Sequence, residues 1–178
     1  MQRQVQLQAT RPHPQYPHFK LVYDLPSPVQ TVDDAASAAH YMRSVWAETI
    51  DIEVGLMVLM LNQYRQPIAH HHVLLGNPAY QMETLTHLRM IGWITAQSCA
   101  SSIYLANNVP GELYLTKEME LPIHVNDALY RISKAMDTLD IWLEDHLLLT
   151  PVDHLSLKDR FKHDWVFITG NQKEASHE

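Results

Sequence analysis

The chain has one cysteine, five glycines and three phenylalanines among its 178 residues, and each shortage closes off a class of protein. A single thiol, Cys99, can make no internal disulfide. In a half-apolar segment with helical patterning it is expected to be a small buried side chain rather than a reactive nucleophile. The glycines, at positions 55, 76, 92, 111 and 170, never cluster, so they build no phosphate-cradling loop. The one serine-rich stretch, Ser98 to Ser102, lacks a nucleophile-elbow pattern. No apolar run approaches the roughly 18 residues that a membrane helix needs, and the first residues lead into a polar stretch rather than a signal-peptide core. The expectation is a soluble, cytoplasmic protein with no membrane partner. Cations are also short, at 13 Lys and Arg against 20 Asp and Glu, for a formal charge of -7. That balance disfavours the broad basic footprint of a nucleic-acid binder, although 12 histidines add positive charge on mild acidification.

Hydrophobic residues make up 46% of the chain, enough for one domain with a real core. Residues 1–30 hold five prolines (Pro12, Pro14, Pro17, Pro26 and Pro28) and many glutamines, a composition that resists helix and favours an extended arm lying on something else. The arm is a candidate for partner binding or for exchange between copies. The domain is expected over 31–160, followed by a polar tail over 161–178.

Within the domain, Thr31 with Asp33 and Asp34 makes a helix start, and the Ala-rich run continues that helix through Trp46. The continuous apolar run from Gly55 to Leu61, a polar turn from Asn62 to Gln66, and Pro67 onward to Leu75 predict two adjacent antiparallel strands. Leu85, Leu88, Ile91 and Thr95 recur at helical spacing to about Ala100, and Ile103-Tyr104-Leu105 then predicts a buried strand. After a loop with Pro110 and Gly111, Leu129, Ile132, Met136 and Leu139 are spaced for one buried helix face, with Asn126 as its cap. Ile141 to Leu149 and Val152 to Leu157 are strand-like.

Three stretches in order carry a family resemblance: Gly55-Leu56-Met57-Val58-Leu59-Met60-Leu61-Asn62, then Ile103 through Glu112 with Asn107-Asn108-Val109-Pro110-Gly111 at its centre, then Leu143-Glu144-Asp145-His146-Leu147-Leu148-Leu149. They resemble the RadC-type JAB, or MPN, domain family, whose members read Glu-Phe-x-Val-Leu-x-Leu-Asn, His-x-His-Pro-Ser-Gly-Asp and Leu-x-Asp-His-x-Ile at the corresponding places. The resemblance spans most of residues 40 to 158. It implies an α/β fold: an MPN-like curved mixed β-sheet flanked by helices, here with an extended N-terminal arm. Between Met119 and Asn126 the chain is several residues longer than typical members.

A metallohydrolase site of this family, known as JAMM, holds zinc with two histidines and an aspartate, and a glutamate deprotonates the bound water. Carried over position by position, the glutamate falls at Gly55, the histidines at Asn107 and Val109, the supporting serine at Thr116 and the aspartate at Met119. A gapless register moves the histidine positions to Ala106 and Asn108, which restores neither. Valine has no lone pair, an amide oxygen is a weak zinc ligand, and methionine cannot replace a hard carboxylate. The resemblance is therefore to a degenerate, non-catalytic member without metal or cofactor, which points to a binding or scaffolding protein with a protein partner or a second copy.

Substitutes are weighed beside that reading. Glu53 stands two residues before Gly55 and could share its sheet face. Asp127 could replace the lost aspartate if the extra residues loop out, while a surface charge near a helix start is the plainer alternative. In His70-His71-His72, His70 and His72 should share one strand face and could chelate, but a native site needs further ligands. Were these residues to reassemble a zinc site, the protein would be an isopeptidase or peptidase with substituted ligands. A third reading, nucleic-acid binding tied to DNA repair, is inherited from the RadC name alone. Asp145 and His146 are expected to be a structural pair joined by a mutual hydrogen bond.

Overall fold

A computed structural model describes residues 31–46, 50, 55–74, 85–108 and 123–170. The arm over 1–30, residues 171–178 of the expected tail, Glu53, Val109, Thr116 and Met119 lie outside the described residues.

Helix α1 (Ala35–Trp46) starts where the acidic cluster predicts. Asp34 accepts from the Ser37 backbone N–H at 2.7 Å, and the Ser37 hydroxyl accepts from the Asp34 N–H at 3.1 Å. This reciprocal cap satisfies two orphan donors of the first turn. The hydrogen bonds from Ser37 to the Asp34 carboxylate also hold its pKa below the usual value. Strands β1 (Gly55–Leu61) and β2 (Pro67–Leu74) form the predicted antiparallel pair, joined by a turn in which the Asn62 side chain accepts from the Tyr64 and Gln66 backbone N–H groups. Helix α2 (Leu85–Ser98) feeds β3 (Ser102–Asn108), and α3 (Ile123–Thr138) crosses to β4 (Trp142–Leu149). A short β5 (His154–Ser156) and two helices, α4 (Leu157–Arg160) and α5 (Lys162–Thr169), complete the described chain.

The five strands lie in the order β2-β1-β3-β4-β5. The pair β3 and β4 is parallel and the other pairs are antiparallel, so the fold is α/β with a mixed sheet flanked by helices. Strand β1 is buried along its whole length, which is why its sequence is a continuous apolar run rather than an alternation. Leu56, Val58, Met60, Ile103 and Leu105 pack against α2, α3 and α5 on one face. Met57, Leu59, Leu61, Tyr104 and Ala106 pack against α1 on the other.

Five expectations need correction. Cys99 is exposed, because α2 ends at Ser98 and Cys99 takes the left-handed conformation (φ 55°) that closes it, which swings its side chain out of the helical register. Asn126 does not cap α3, since the helix begins three residues earlier. Leu139 is 42% exposed because the helix stops at Thr138 and Asp140 (φ 56°) turns the chain into β4. The second strand-like run forms only three residues of strand: Val152 is exposed in the turn and Leu157 opens α4 under the Ser156 cap, whose hydroxyl accepts from the Asp159 N–H at 2.9 Å. Residues 162–169 are not tail. They form α5, which packs on α3 through Trp165 and Ile168 because a Trp-Val-Phe-Ile run interrupts the polar composition.

Candidate functional site

Two polar residues end β3 where the apolar run of the strand gives out, and both hold Gly55, each with a different second partner. Asn108, 2% exposed, accepts from the Gly55 N–H at 2.6 Å and donates to the Ile50 carbonyl at 2.8 Å. Asn107 donates from Nδ2 to the Gly55 carbonyl at 3.0 Å, and its Oδ1 lies 2.8 Å from His146 Nε2. The structure thus brings together Gly55 and Asn107, the positions matched to the glutamate and the first histidine, and adds His146 from the third motif.

The network fixes the protonation of the imidazole. A carbonyl can only accept, so Nδ2 must face Gly55 and Oδ1 must face His146; Nε2 then carries the proton. The other ring nitrogen, Nδ1, is left as a buried lone pair without a hydrogen-bond partner. With the side chain only 1% exposed, burial pushes the His146 pKa down to about 4, and the ring is neutral near pH 7.

Asp145 does not orient that ring. Alternation along β4 turns its carboxylate to the opposite sheet face, where Oδ1 accepts from the backbone N–H groups of His146 (2.6 Å) and Lys158 (2.9 Å) and Oδ2 from the Ser156 hydroxyl (2.5 Å). The expected Asp145–His146 side-chain bond is therefore corrected to a backbone contact. Burial pushes the Asp145 pKa up to about 6 despite these three donors.

The candidate substitute ligands do not join this network. Asp127 sits on the exposed surface of α3 and pairs with Arg131 at 2.9 Å, the plainer of the two readings. His70 and His72 share a face as expected, but they stand opposite Leu59 and Met57, on the α1 side of the sheet. There the His70 Nδ1 meets the Tyr41 hydroxyl at 3.5 Å, and the His72 ring packs edge-on against Trp46 with centroids 4.5 Å apart. Asn107 and His146 pair with Leu56 and Leu105, on the α2 and α3 side. His71 faces that side too, and burial followed by its two neighbours pushes its pKa down to about 4. Among the described residues no three His, Cys, Asp or Glu side chains converge as a metal site.

The donor set at Gly55, Asn107 and His146 does not fit zinc. Gly55 offers no side chain, both ends of the Asn107 amide are engaged, and the imidazole turns its protonated nitrogen toward the site's own amide. Sequence reasoning met Asn108 only as an alternative histidine position and missed Arg65. The first signals itself as a second amide at the end of a buried strand. The second, in a left-handed turn at φ 59°, donates to the Val32 carbonyl, Glu144 and the Tyr104 hydroxyl, and so joins the segment before α1, the β1–β2 turn, β3 and β4. Burial, followed by the negative charge of Glu144, pushes the Tyr104 pKa up.

No protein-family model and no curated protein matches the chain. Among the described residues no helix is long and apolar enough to cross a membrane.

Proposed function

We propose that this chain is a non-catalytic RadC-like MPN domain that works as a binding or scaffolding protein. The observation that carries the reading is the Asn107 amide: it spans the Gly55 carbonyl and His146 with both of its ends, in the place where the resemblance puts a zinc ligand and a general base. A polar network closed at the Asn107 amide stiffens the strand ends, and it offers a substrate no activated water. On this reading the mixed sheet is the family's scaffold, and structural hydrogen bonds stand at the strand ends in place of its metal chemistry. Function then rests on surfaces, with a protein partner or a second copy as the recognised species. Neither rival draws support from a particular contact: Asp127, His70 and His72 stand apart from Asn107, and the formal charge of -7 opposes nucleic acid.

Elemental analysis of untagged protein, paired with a peptidase and isopeptidase assay, tests the reading. The expected result is substoichiometric zinc and no hydrolysis. Near-stoichiometric zinc, lost together with a hydrolytic activity in Asn107→Ala and Asp127→Ala, overturns it.

A further inference from the structure

Helices α3 and α5 leave a cleft of about 340 Å³ between them, lined by Asn126, Asp127, Tyr130, Phe167 and Ile168. Its walls are aromatic: Phe167 is 80% exposed and Tyr130, with Lys134 Nζ 5.7 Å from its ring centroid, is 46% exposed, although both stand beside well-buried core residues. Two rings with an amide and a carboxylate at the rim match the chemistry that receives polyproline II segments. Such a segment has no internal hydrogen bonds, packs prolines between aromatic rings, and offers free carbonyls to a side-chain donor.

The chain carries a segment of that chemistry. Pro14-Gln15-Tyr16-Pro17 is a P-x-x-P run, and with about 3 residues per polyproline II turn its two prolines fall on one face. Arg11 and Lys20 flank it, and the first 23 residues hold three cations and no acid in a protein of net charge -7. The cleft rim supplies the exposed carboxylate of Asp127, whose bond to Arg131 is a solvent-screened helix pair that can exchange partners at little cost.

Reach decides which prolines qualify. The described chain begins at Thr31, and Val32 is buried in the α1-side core, so the arm must pass around to the opposite layer. A domain of this length is about 40 Å across, which makes the path roughly 60 Å at most. Pro17 and Pro12 lie 14 and 19 residues before Thr31, giving spans of about 43 and 59 Å at polyproline II rise. Pro26 and Pro28 are too close to Thr31 to arrive.

We infer that the Pro12–Pro17 segment of this chain docks in cis into the Tyr130–Phe167 cleft between α3 and α5. The arm then covers the exposed aromatic pair and straps the helical layer from outside.

Trypsin kinetics on the full chain test the docking. The Lys20–Leu21 bond adjoins the docked segment, whereas Arg3–Gln4 lies beyond it; Arg11 precedes a proline and is a poor site. A bond held on the domain is cut only through its undocked population, so Lys20–Leu21 is expected to be cleaved at least about tenfold more slowly than Arg3–Gln4. Phe167→Ala, at an exposed position that leaves the domain's own core intact, should abolish the difference, and Pro14→Ala with Pro17→Ala should do so without touching the domain. Equal rates at the two bonds in the unaltered protein, or protection that survives both variants, overturn the docking. Protection that grows with protein concentration assigns the cleft to a second copy and overturns docking in cis.

Discussion

Replacing His146 by glutamine should make the protein less acid-sensitive, by an amount the burial of the imidazole fixes. In the unfolded chain a histidine titrates near 6.5, whereas His146 is held down to about 4, so between these values the unfolded state binds more protons. Stability from this group is fully present above about pH 6.5 and is lost as pH falls toward 4. Integrating over that window gives a loss of about 3 kcal/mol between pH 7 and pH 4. Asp145 acts with the opposite sign. Its folded pKa is raised to about 6, so its contribution is present below the ordinary carboxylate value and is lost as pH rises through 6. The two nearly offset each other in the unaltered protein, which hides both. Asp145 is common to the pair of proteins, and subtracting urea unfolding free energies of His146→Gln from those of the parent at each pH isolates the imidazole. Near pH 7 the variant should be less stable by about 1–2 kcal/mol, from its poorer bond to Asn107. By pH 4 that gap should close or change sign. A gap that stays constant from pH 7 to 4 refutes the buried neutral imidazole, and with it the proton assignment at Asn107.

Three further outcomes follow from particular contacts. Asn107→Ala strands the Gly55 carbonyl and the His146 Nε2 proton and should cost about 2–4 kcal/mol in chemical denaturation; a cost below about 0.5 kcal/mol contradicts the bridge. Cys99→Gly relieves a left-handed residue whose side chain is exposed, and it should raise stability by up to about 1 kcal/mol, read as a shift in urea midpoint at constant slope. Trp165→Ala removes the 4%-exposed anchor of α5 and should cost about 3–5 kcal/mol; a melting temperature unaltered by the change would return residues 162–169 to a dispensable tail.

Much of the fold was legible because local pattern and tertiary role agree. The apolar run of β1 reads as a strand buried on both faces, and it lies between β2 and β3. Period-two alternation placed His70 and His72 together, and they do share the α1 face. Where the reading missed, a single residue usually interrupts the period. Cys99 falls at helical spacing from Thr95 and would be inside if the helix ran on, but the left-handed turn ends it first. The contact between Asn107 and His146 joins residues 39 positions apart and depends on a bulge: the register of β3 against β4 shifts after Ile103, so that Tyr104 faces Asp145. Without that shift, alternation from Leu143 would put Asp145 beside it and send His146 to the other face. No composition or motif announces such a bulge.

That bulge also bears on whether a metal site could be assembled from nearby side chains. It sets His146 and Asn107 on the α2 and α3 face, while the two histidines best placed to chelate stand on the α1 face of an edge strand, separated from Asn107 by β1. A closely coordinated ion needs ligands within about 2–2.5 Å of one point, and a sheet whose two faces are each packed with apolar side chains offers no such point common to both. Bringing His70 or His72 to Asn107 would take a one-residue slip of β2, and that slip would send every apolar side chain of the strand to the wrong face. The same alternation that gives the sheet its two cores therefore keeps the histidine cluster and the strand-end network apart. A ligand shared by both is a demand that this register cannot meet.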